Sequence, residues 1–103
     1  MNSEVLILFS RKGCCLCEAI EEKLSNISLT NLKPPIVLSV VDIDSKEVSN
    51  GIKRKYTNEV PVLVLDSTKL SQKIELPRIS PRLKEDLLLS WIQKNLNIVF
   101  KSS

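Results

Sequence analysis

Residues 8–24, LFSRKGCCLCEAIEEKL, lead from an apolar segment into a helix and contain all three cysteines of the chain. The preceding residues, EVLILF (4–9), are almost continuously apolar, which is typical of a buried strand in a parallel sheet. The following apolar residues recur at one-turn intervals and predict a buried helix stripe of Leu16, Ile20, Leu24 and Ile27. The cysteines therefore lie where a strand passes into a helix.

A second strand and a second helix are predicted next. The connector NLKPP (31–35) ends the first helix, and IVLSVVDI (36–43) is again apolar and rich in β-branched residues. A strand, a helix and a strand in succession predict two parallel strands with a right-handed crossover. Asp44 or Ser45 can cap the second helix, whose core face would consist of Val48, Ile52 and Tyr56.

The C-terminal half predicts a hairpin and a third helix. VPVLVL (60–65) and QKIEL (72–76) flank a polar turn and read as an antiparallel pair of strands. Ser80 followed by Pro81 is a helix start, a cap and then a proline at the first helical position. The buried stripe of this helix is predicted to contain Leu83, Leu87, Leu88, Trp91, Ile92 and Leu96. We therefore expect one α/β domain, residues 1–103, with the order β-α-β-α-β-β-α and helices on both faces of the sheet.

Composition argues against several classes of function. The chain has 15 Lys and Arg against 12 Asp and Glu, and no histidine. Without histidine, neither a Ser-His-Asp nor a Cys-His catalytic arrangement can form, and no imidazole is available to a metal. The short basic run KRK (53–55) is typical of a solvated helix face, so no nucleic-acid partner is expected. Since we find neither a membrane-length apolar run nor a signal peptide pattern, we expect a cytoplasmic protein without a membrane partner.

The spacing of the cysteines indicates which two can pair. Cys14 and Cys17 are three positions apart in a first helical turn, a separation that suits a disulfide. Cys14 and Cys15 have Cα atoms only about 3.8 Å apart, which is too close. Cys15 and Cys17 point in nearly opposite directions around the helix. We expect Cys15 to face solvent and Cys17 to lie nearer to the buried stripe.

Position also separates the expected roles of the pair. Cys14 would lie at a helix N-terminus, where unpaired N–H groups and the helix dipole stabilise a thiolate. Arg11 and Lys12 would act in the same direction, and Glu18 would oppose them. Cys14 is thus the expected nucleophile and Cys17 the resolving thiol. A metal site would need a carboxylate or a second chain as its fourth ligand, so no metal is expected, and an inert motif is the remaining alternative.

Two segments, LFSRKGCCLCEAIEEKL (8–24) and KYTNEVPVLVLD (55–66), resemble the thioredoxin superfamily and most of all its small glutaredoxin-like proteins. The resemblance implies a thioredoxin-like fold of the glutaredoxin type with a four-stranded mixed sheet. It also implies a cis peptide bond before Pro61, facing the active-site disulfide. The carbonyl and N–H of Val60 would then be exposed for pairing with an incoming peptide or glutathione.

Two segments depart from the glutaredoxin pattern. Cys15 and Leu16 stand between the paired cysteines, where glutaredoxins commonly have proline and an aromatic residue. LPRISPRL (76–83) stands in place of a Gly-Gly pair and the polar residue that holds glutathione. Ser80 and Arg82 are the candidates for polar contacts there, and we expect glutathione to bind weakly at most.

The predicted function is that of an enzyme, a thiol–disulfide oxidoreductase that reduces protein or glutathione mixed disulfides. The predicted site consists of the catalytic Cys14 and Cys17 and the substrate-binding Arg11, Lys12, Val60, Pro61, Ser80 and Arg82. We expect a monomer without a bound cofactor, with glutathione as a candidate electron donor. Two alternatives are a thioredoxin-fold binding module without turnover and an iron–sulfur cluster carrier that uses Cys14 as a ligand.

Overall fold

The computed structural model describes residues 4–80 and 82–101. Within these ranges, four strands, three α-helices and a short 3-10 turn follow the predicted order. The strands are β1 Glu4–Ser10, β2 Ile36–Asp42, β3 Val62–Ser67 and β4 Gln72–Glu75. The α-helices are α1 Cys15–Asn26, α2 Asn50–Tyr56 and α3 Glu85–Lys101, and the 3-10 turn is Leu29–Asn31.

The four strands form one mixed sheet in the order β2-β1-β3-β4. β1 is parallel to β2, and both strands therefore end at the same edge of the sheet. β3 is antiparallel to β1, with Val62 opposite Phe9, so β3 begins at that edge. β3 and β4 form the predicted antiparallel hairpin. The loop after β1, the loop after β2 and the segment before β3 consequently meet at one edge, which we call the loop edge.

Alternating side chains of β1 divide the core between the two faces of the sheet. Leu6 and Leu8 are fully buried and belong to the larger cluster, which includes side chains of α1 and α3. The buried side chains that α1 and α3 contribute to this cluster are Ile20, Leu24, Leu88, Ile92 and Leu96. Hydrophobic burial on this face therefore holds two helices against the sheet.

The opposite face is covered by α2. Phe9, Val62 and Val64 pack with Tyr56 of α2, and the rings of Phe9 and Tyr56 stack with centroids 5.4 Å apart. The Tyr56 hydroxyl donates a hydrogen bond of 2.8 Å to Glu75 of β4. Helices therefore lie on both faces of the sheet, as predicted.

The predicted start of α2 is wrong. Ser49, and not Asp44 or Ser45, caps this helix, and its Oγ accepts a hydrogen bond of 3.3 Å from the N–H of Ile52. Asp44 and Ser45 lie in the preceding turns, where the Ser45 side chain accepts from the N–H of Glu47. Short polar side chains can close turns as well as cap helices, so residue type alone does not distinguish the two positions.

The predicted start of α3 is also wrong, because the helix begins at Glu85. The Ser80 side chain accepts a hydrogen bond of 3.3 Å from the N–H of Arg82, and its carbonyl accepts one of 3.1 Å from the N–H of Leu83. Ser80 thus closes a turn ahead of the helix. Pro81, the predicted first helical residue, lies outside the described residues.

Two leucines assigned to the buried stripes are exposed. Leu16 is 50% exposed and Leu87 is 54% exposed. The buried residues of α1 are Cys17, Ile20 and Leu24, and those of α3 are Leu88, Ile92, Asn95 and Leu96. Leucines on either side of a stripe fit the helical period equally well, so the rotation of each helix is decided by its packing against the sheet.

Candidate functional site

Cys14 is the N-cap residue of α1, with an extended backbone conformation. Its Sγ accepts a hydrogen bond of 3.2 Å from the N–H of Cys17, and its carbonyl accepts one of 3.0 Å from the N–H of Glu18. Gly13 precedes it with a φ of 80°, a conformation that glycine adopts without the steric cost of a Cβ. The sulfur of the half-buried Cys14 therefore lies at the N-terminus of α1, against the N–H of Cys17.

The other two cysteines have opposite environments. Cys17 is 1% exposed, whereas Cys15 is exposed, and both predicted exposures are confirmed. Burial, and then the hydrogen-bonded contact with Cys14, raise the pKa of Cys17 from 9.0 to about 11. All three cysteines are free thiols. At neutral pH, Cys17 is consequently a protonated thiol beside the more accessible Cys14.

Arg11 is engaged by two residues of other loops, which the sequence did not predict. Its Nε and Nη2 donate to the Asp44 carboxylate at 2.9 and 3.1 Å. Its Nη1 donates to the Thr57 carbonyl at 2.9 Å, and its Nη2 donates to Thr57 Oγ1 at 2.7 Å. The hydrogen bond between Arg11 and Asp44 raises the pKa of the guanidinium and lowers the pKa of the carboxyl group. The neighbouring Lys12 is exposed.

The Val60–Pro61 segment lies at the same edge, directly before β3. Its peptide bond is cis, as is that of Lys33–Pro34. Pro61 is buried and Val60 is half-buried. The N–H of Val60 donates a hydrogen bond of 3.2 Å to the Tyr56 carbonyl. The expectation that both backbone groups of Val60 are exposed is therefore wrong for the N–H, which already has a partner within the protein.

A small pocket of about 110 Å³ opens beside Pro61 and reaches the segment after β4. Glu59 and Arg78 line it and form an ion pair of 2.8 Å. Ser80 and Arg82 are exposed and are not among the lining residues in the described part of the chain. The structure thus brings Pro61 together with Arg78, and not with the two polar residues that the sequence suggested.

Glu59 and Arg78 were missed because no short-range pattern connects them. The hairpin separates them, and they are 19 positions apart along the chain. The same is true of Asp44 and Thr57, which approach Arg11 from two other loops. Only the meeting of loops at the loop edge makes these residues neighbours.

Neither a metal centre nor a membrane-spanning helix is found in residues 4–80 and 82–101. No three Cys, Asp or Glu side chains are grouped there so that they could hold a metal ion. No helix in those ranges is long and apolar enough to cross a bilayer. Asp44, a carboxylate of the loop edge, forms an ion pair with Arg11.

A mixed sheet with helices on both faces and a CxxC pair at the first strand-to-helix junction defines a thioredoxin-like protein, and solved structures agree. The chain is similar to thioredoxin O2 from Arabidopsis thaliana, with a TM-score of 0.60, 22% identity, and coverage of 91% of this chain and 75% of that chain. It is also similar to the first thioredoxin domain of mouse Protein disulfide-isomerase A4, with a TM-score of 0.59 and 16% identity. That match covers 89% of this chain and 62% of that chain. A structural genomics target protein from X. campestris matches with a TM-score of 0.51 and 21% identity, over 86% of this chain and 96% of that chain. At these identities the likeness shows the fold.

The family follows from the sequence itself. Residues 5–93 match the family described as Glutaredoxin-like domain (DUF836), and the chain belongs to this family. No curated protein matches the chain. The predicted fold class and the resemblance to glutaredoxin-like proteins are confirmed, and the Cys14/Cys17 pair on this fold supports a function of the redox type in general.

Proposed function

We propose that this protein is a thiol–disulfide oxidoreductase that reduces protein disulfides or glutathione mixed disulfides through Cys14 and Cys17. The observation that carries the proposal is the half-exposed Cys14 Sγ at the N-cap of α1, 3.2 Å from the N atom of the buried Cys17. Thiolates attack disulfides and thiols do not, and a helix N-terminus favours the thiolate.

The reaction proceeds by two exchanges. The Cys14 thiolate attacks one sulfur of the substrate disulfide, and the other substrate sulfur leaves and takes a proton from solvent. Cys17 then loses its proton and attacks the Cys14 sulfur of the mixed disulfide, so that the second substrate sulfur leaves and is protonated. Two electrons pass to the substrate, which becomes two thiols, and the protein becomes the Cys14–Cys17 disulfide.

The raised pKa of Cys17 gives these steps their order. Burial and the contact with Cys14 hold the pKa at about 11, so that Cys17 is protonated while Cys14 is free. In the mixed disulfide, Cys14 carries no negative charge. Part of the cause of the raised pKa is then removed, and Cys17 ionises more readily. Burial, the largest cause of the raised pKa, remains, so Cys17 must still lose its proton in the second exchange.

The substrate would dock at the loop edge, next to Pro61. The Val60 carbonyl can accept a hydrogen bond from an extended peptide. The exposed Lys12 adds a positive charge near the nucleophile, and Ser80 and Arg82 are candidates for outer contacts. We propose no resident cofactor, and glutathione or thioredoxin reductase would return electrons to the oxidised pair.

Reduction of insulin disulfides with dithiothreitol as electron source tests the proposal. Wild-type protein should accelerate it, and Cys14→Ser should abolish the acceleration, because a serine hydroxyl does not ionise near neutral pH. Cys17→Ser should accumulate a mixed disulfide with insulin, visible by non-reducing mass spectrometry. Wild-type rates in Cys14→Ser would contradict the role of the nucleophile, and an absence of any trapped adduct in Cys17→Ser would contradict the resolving role.

A further inference from the structure

Arg11 joins three loops at the loop edge of the sheet. It lies between β1 and Cys14, whereas Asp44 follows β2 and Thr57 follows α2. Four hydrogen bonds of 2.9, 2.9, 3.1 and 2.7 Å connect its guanidinium to these two residues. Thr57 begins the connection that leads to Val60. The contact therefore ties the loop of the nucleophile to the loop of the proposed substrate backbone contact.

The charge of Arg11 is already matched within this cluster. Asp44 accepts from Nε and Nη2 in a two-point arrangement, in which both the position and the orientation of the guanidinium are held. The hydrogen bond to Asp44 is the largest cause of the raised pKa of Arg11, and the attraction of Cys14 is the smallest. The arrangement fits a mechanical connection between loops better than a free positive charge directed at the Cys14 sulfur.

Only an arginine can make this connection. The planar guanidinium presents its N–H groups in fixed directions, and here one side meets Asp44 while the other meets Thr57. A lysine ammonium at position 11 would keep the charge but would lack the rigid fork that holds both loops together. Charge and connection can therefore be separated by a single substitution.

We propose that Arg11, together with Asp44 and Thr57, is a positioning residue that fixes the Cys14 loop relative to the Val60–Pro61 segment. The inference rests on the proposed disulfide exchange. Attack on a disulfide requires the nucleophile to approach along the S–S axis, so a docked substrate must present its sulfur to Cys14 in a defined orientation. A misplacement of about 1 Å between reacting groups can cost on the order of 100-fold in rate.

Two variants and one matched control test the proposal. Arg11→Lys keeps the charge and loses the fork, and Asp44→Asn keeps the size and loses the carboxylate. Lys46→Gln is the control, because Lys46 is exposed, lies near Asp44 in the chain and makes no contact with the cluster in the described residues. The kcat/KM for insulin reduction should fall about tenfold in both variants and stay within about twofold of wild type in the control.

A second measurement separates positioning from electrostatics. The rate of Cys14 alkylation by iodoacetamide, followed by mass spectrometry against pH, needs no docked substrate and should have the same pH profile in all four proteins. Full activity in Arg11→Lys would overturn the proposal. A profile moved to lower pH in Asp44→Asn, where the guanidinium is released from its carboxylate, would also overturn it.

Failure of the proposed function looks different, because wild-type protein would then reduce no disulfide. Hydrogen–deuterium exchange decides the matter in that case. Amides of residues 12–17, 58–60 and 62–63 should exchange faster in Arg11→Lys and Asp44→Asn than in Lys46→Gln. Equal exchange rates in all variants would contradict the connection between the loops whether or not the protein is an enzyme.

Discussion

The environments of Cys14, Cys15 and Cys17 differ although the side chains are identical and lie within one helical turn. Cys14 caps the helix and accepts a hydrogen bond from the N–H of Cys17. The Cys17 side chain faces the core, and that of Cys15 faces solvent. These differences follow from the roughly 100° rotation per helical residue. The direction of each thiol, and not its residue type, thus separates the proposed nucleophile from the resolving thiol and from the third cysteine.

Cys15→Ser should leave insulin reduction within a few-fold of wild type, because the exposed Cys15 makes no contact that the proposed exchange needs. The oxidised wild-type protein should contain one intramolecular bridge, Cys14–Cys17, since the other two pairs have unsuitable geometry. Peptide mapping of the oxidised protein by mass spectrometry checks this. A bridge that includes Cys15, or a large loss of activity in Cys15→Ser, would show that the cysteines are paired differently.

At the scale of single elements, α1 and α3 show what helical periodicity specifies and what it leaves open. The period correctly predicts that Ile20, Leu24 and Leu88 belong to buried stripes. It does not distinguish Leu16 from Cys17 or Leu87 from Leu88, because neighbouring residues at the edge of a stripe fit the same period. The rotation of each helix follows from which side packs against Leu6 and Leu8 of β1.

Leu87 and Leu88 are neighbours with opposite exposures, so substituting each of them tests the rotation of α3. Leu88→Ala should lower the free energy of unfolding by about 2–5 kcal/mol, because Leu88 is 0% exposed and its removal leaves a cavity. Leu87→Ala should change it by less than about 0.5 kcal/mol, because Leu87 is 54% exposed. Urea denaturation followed by circular dichroism measures both. Equal losses in the two variants would mean that α3 is rotated from the position described.

At the scale of the whole molecule, two buried ionisable groups connect stability to alkaline pH. Burial raises the pKa of Cys17 to about 11. Burial, followed by the hydrogen bond to Glu75, raises the pKa of Tyr56 to about 12. Both groups hold their protons more tightly in the folded protein than at their ordinary values of 9.0 and 10.0. Above pH 9 the folded state therefore binds more protons than the unfolded state does. Its free energy of unfolding consequently falls as the pH rises further.

The free energy of unfolding is measured with urea in the presence of a reducing agent. The contribution of Cys17 and Tyr56 to it should be nearly constant below pH 9 and should decrease towards pH 11. Cys17→Ala should flatten the decrease that begins near pH 9, and Tyr56→Phe should flatten the part above pH 10, because each removes one group with a raised pKa. Each variant is compared with its own value at pH 7, so that lost packing does not enter the slope. A wild-type slope in both variants would contradict the assignment.

The sequence by itself determined the order of strands and helices, the suitability of Cys14 and Cys17 as a pair, and the opposite exposures of Cys15 and Cys17. These properties depend on strand and helix periods, which act over a few neighbouring residues. Only the tertiary structure decided the cluster of Arg11 with Asp44 and Thr57, which follow Arg11 in the chain by 33 and 46 positions. The same holds for the ion pair beside Pro61 and the rotation of the helices. These contacts arise from packing of the sheet and its helices, which brings distant loops to one edge.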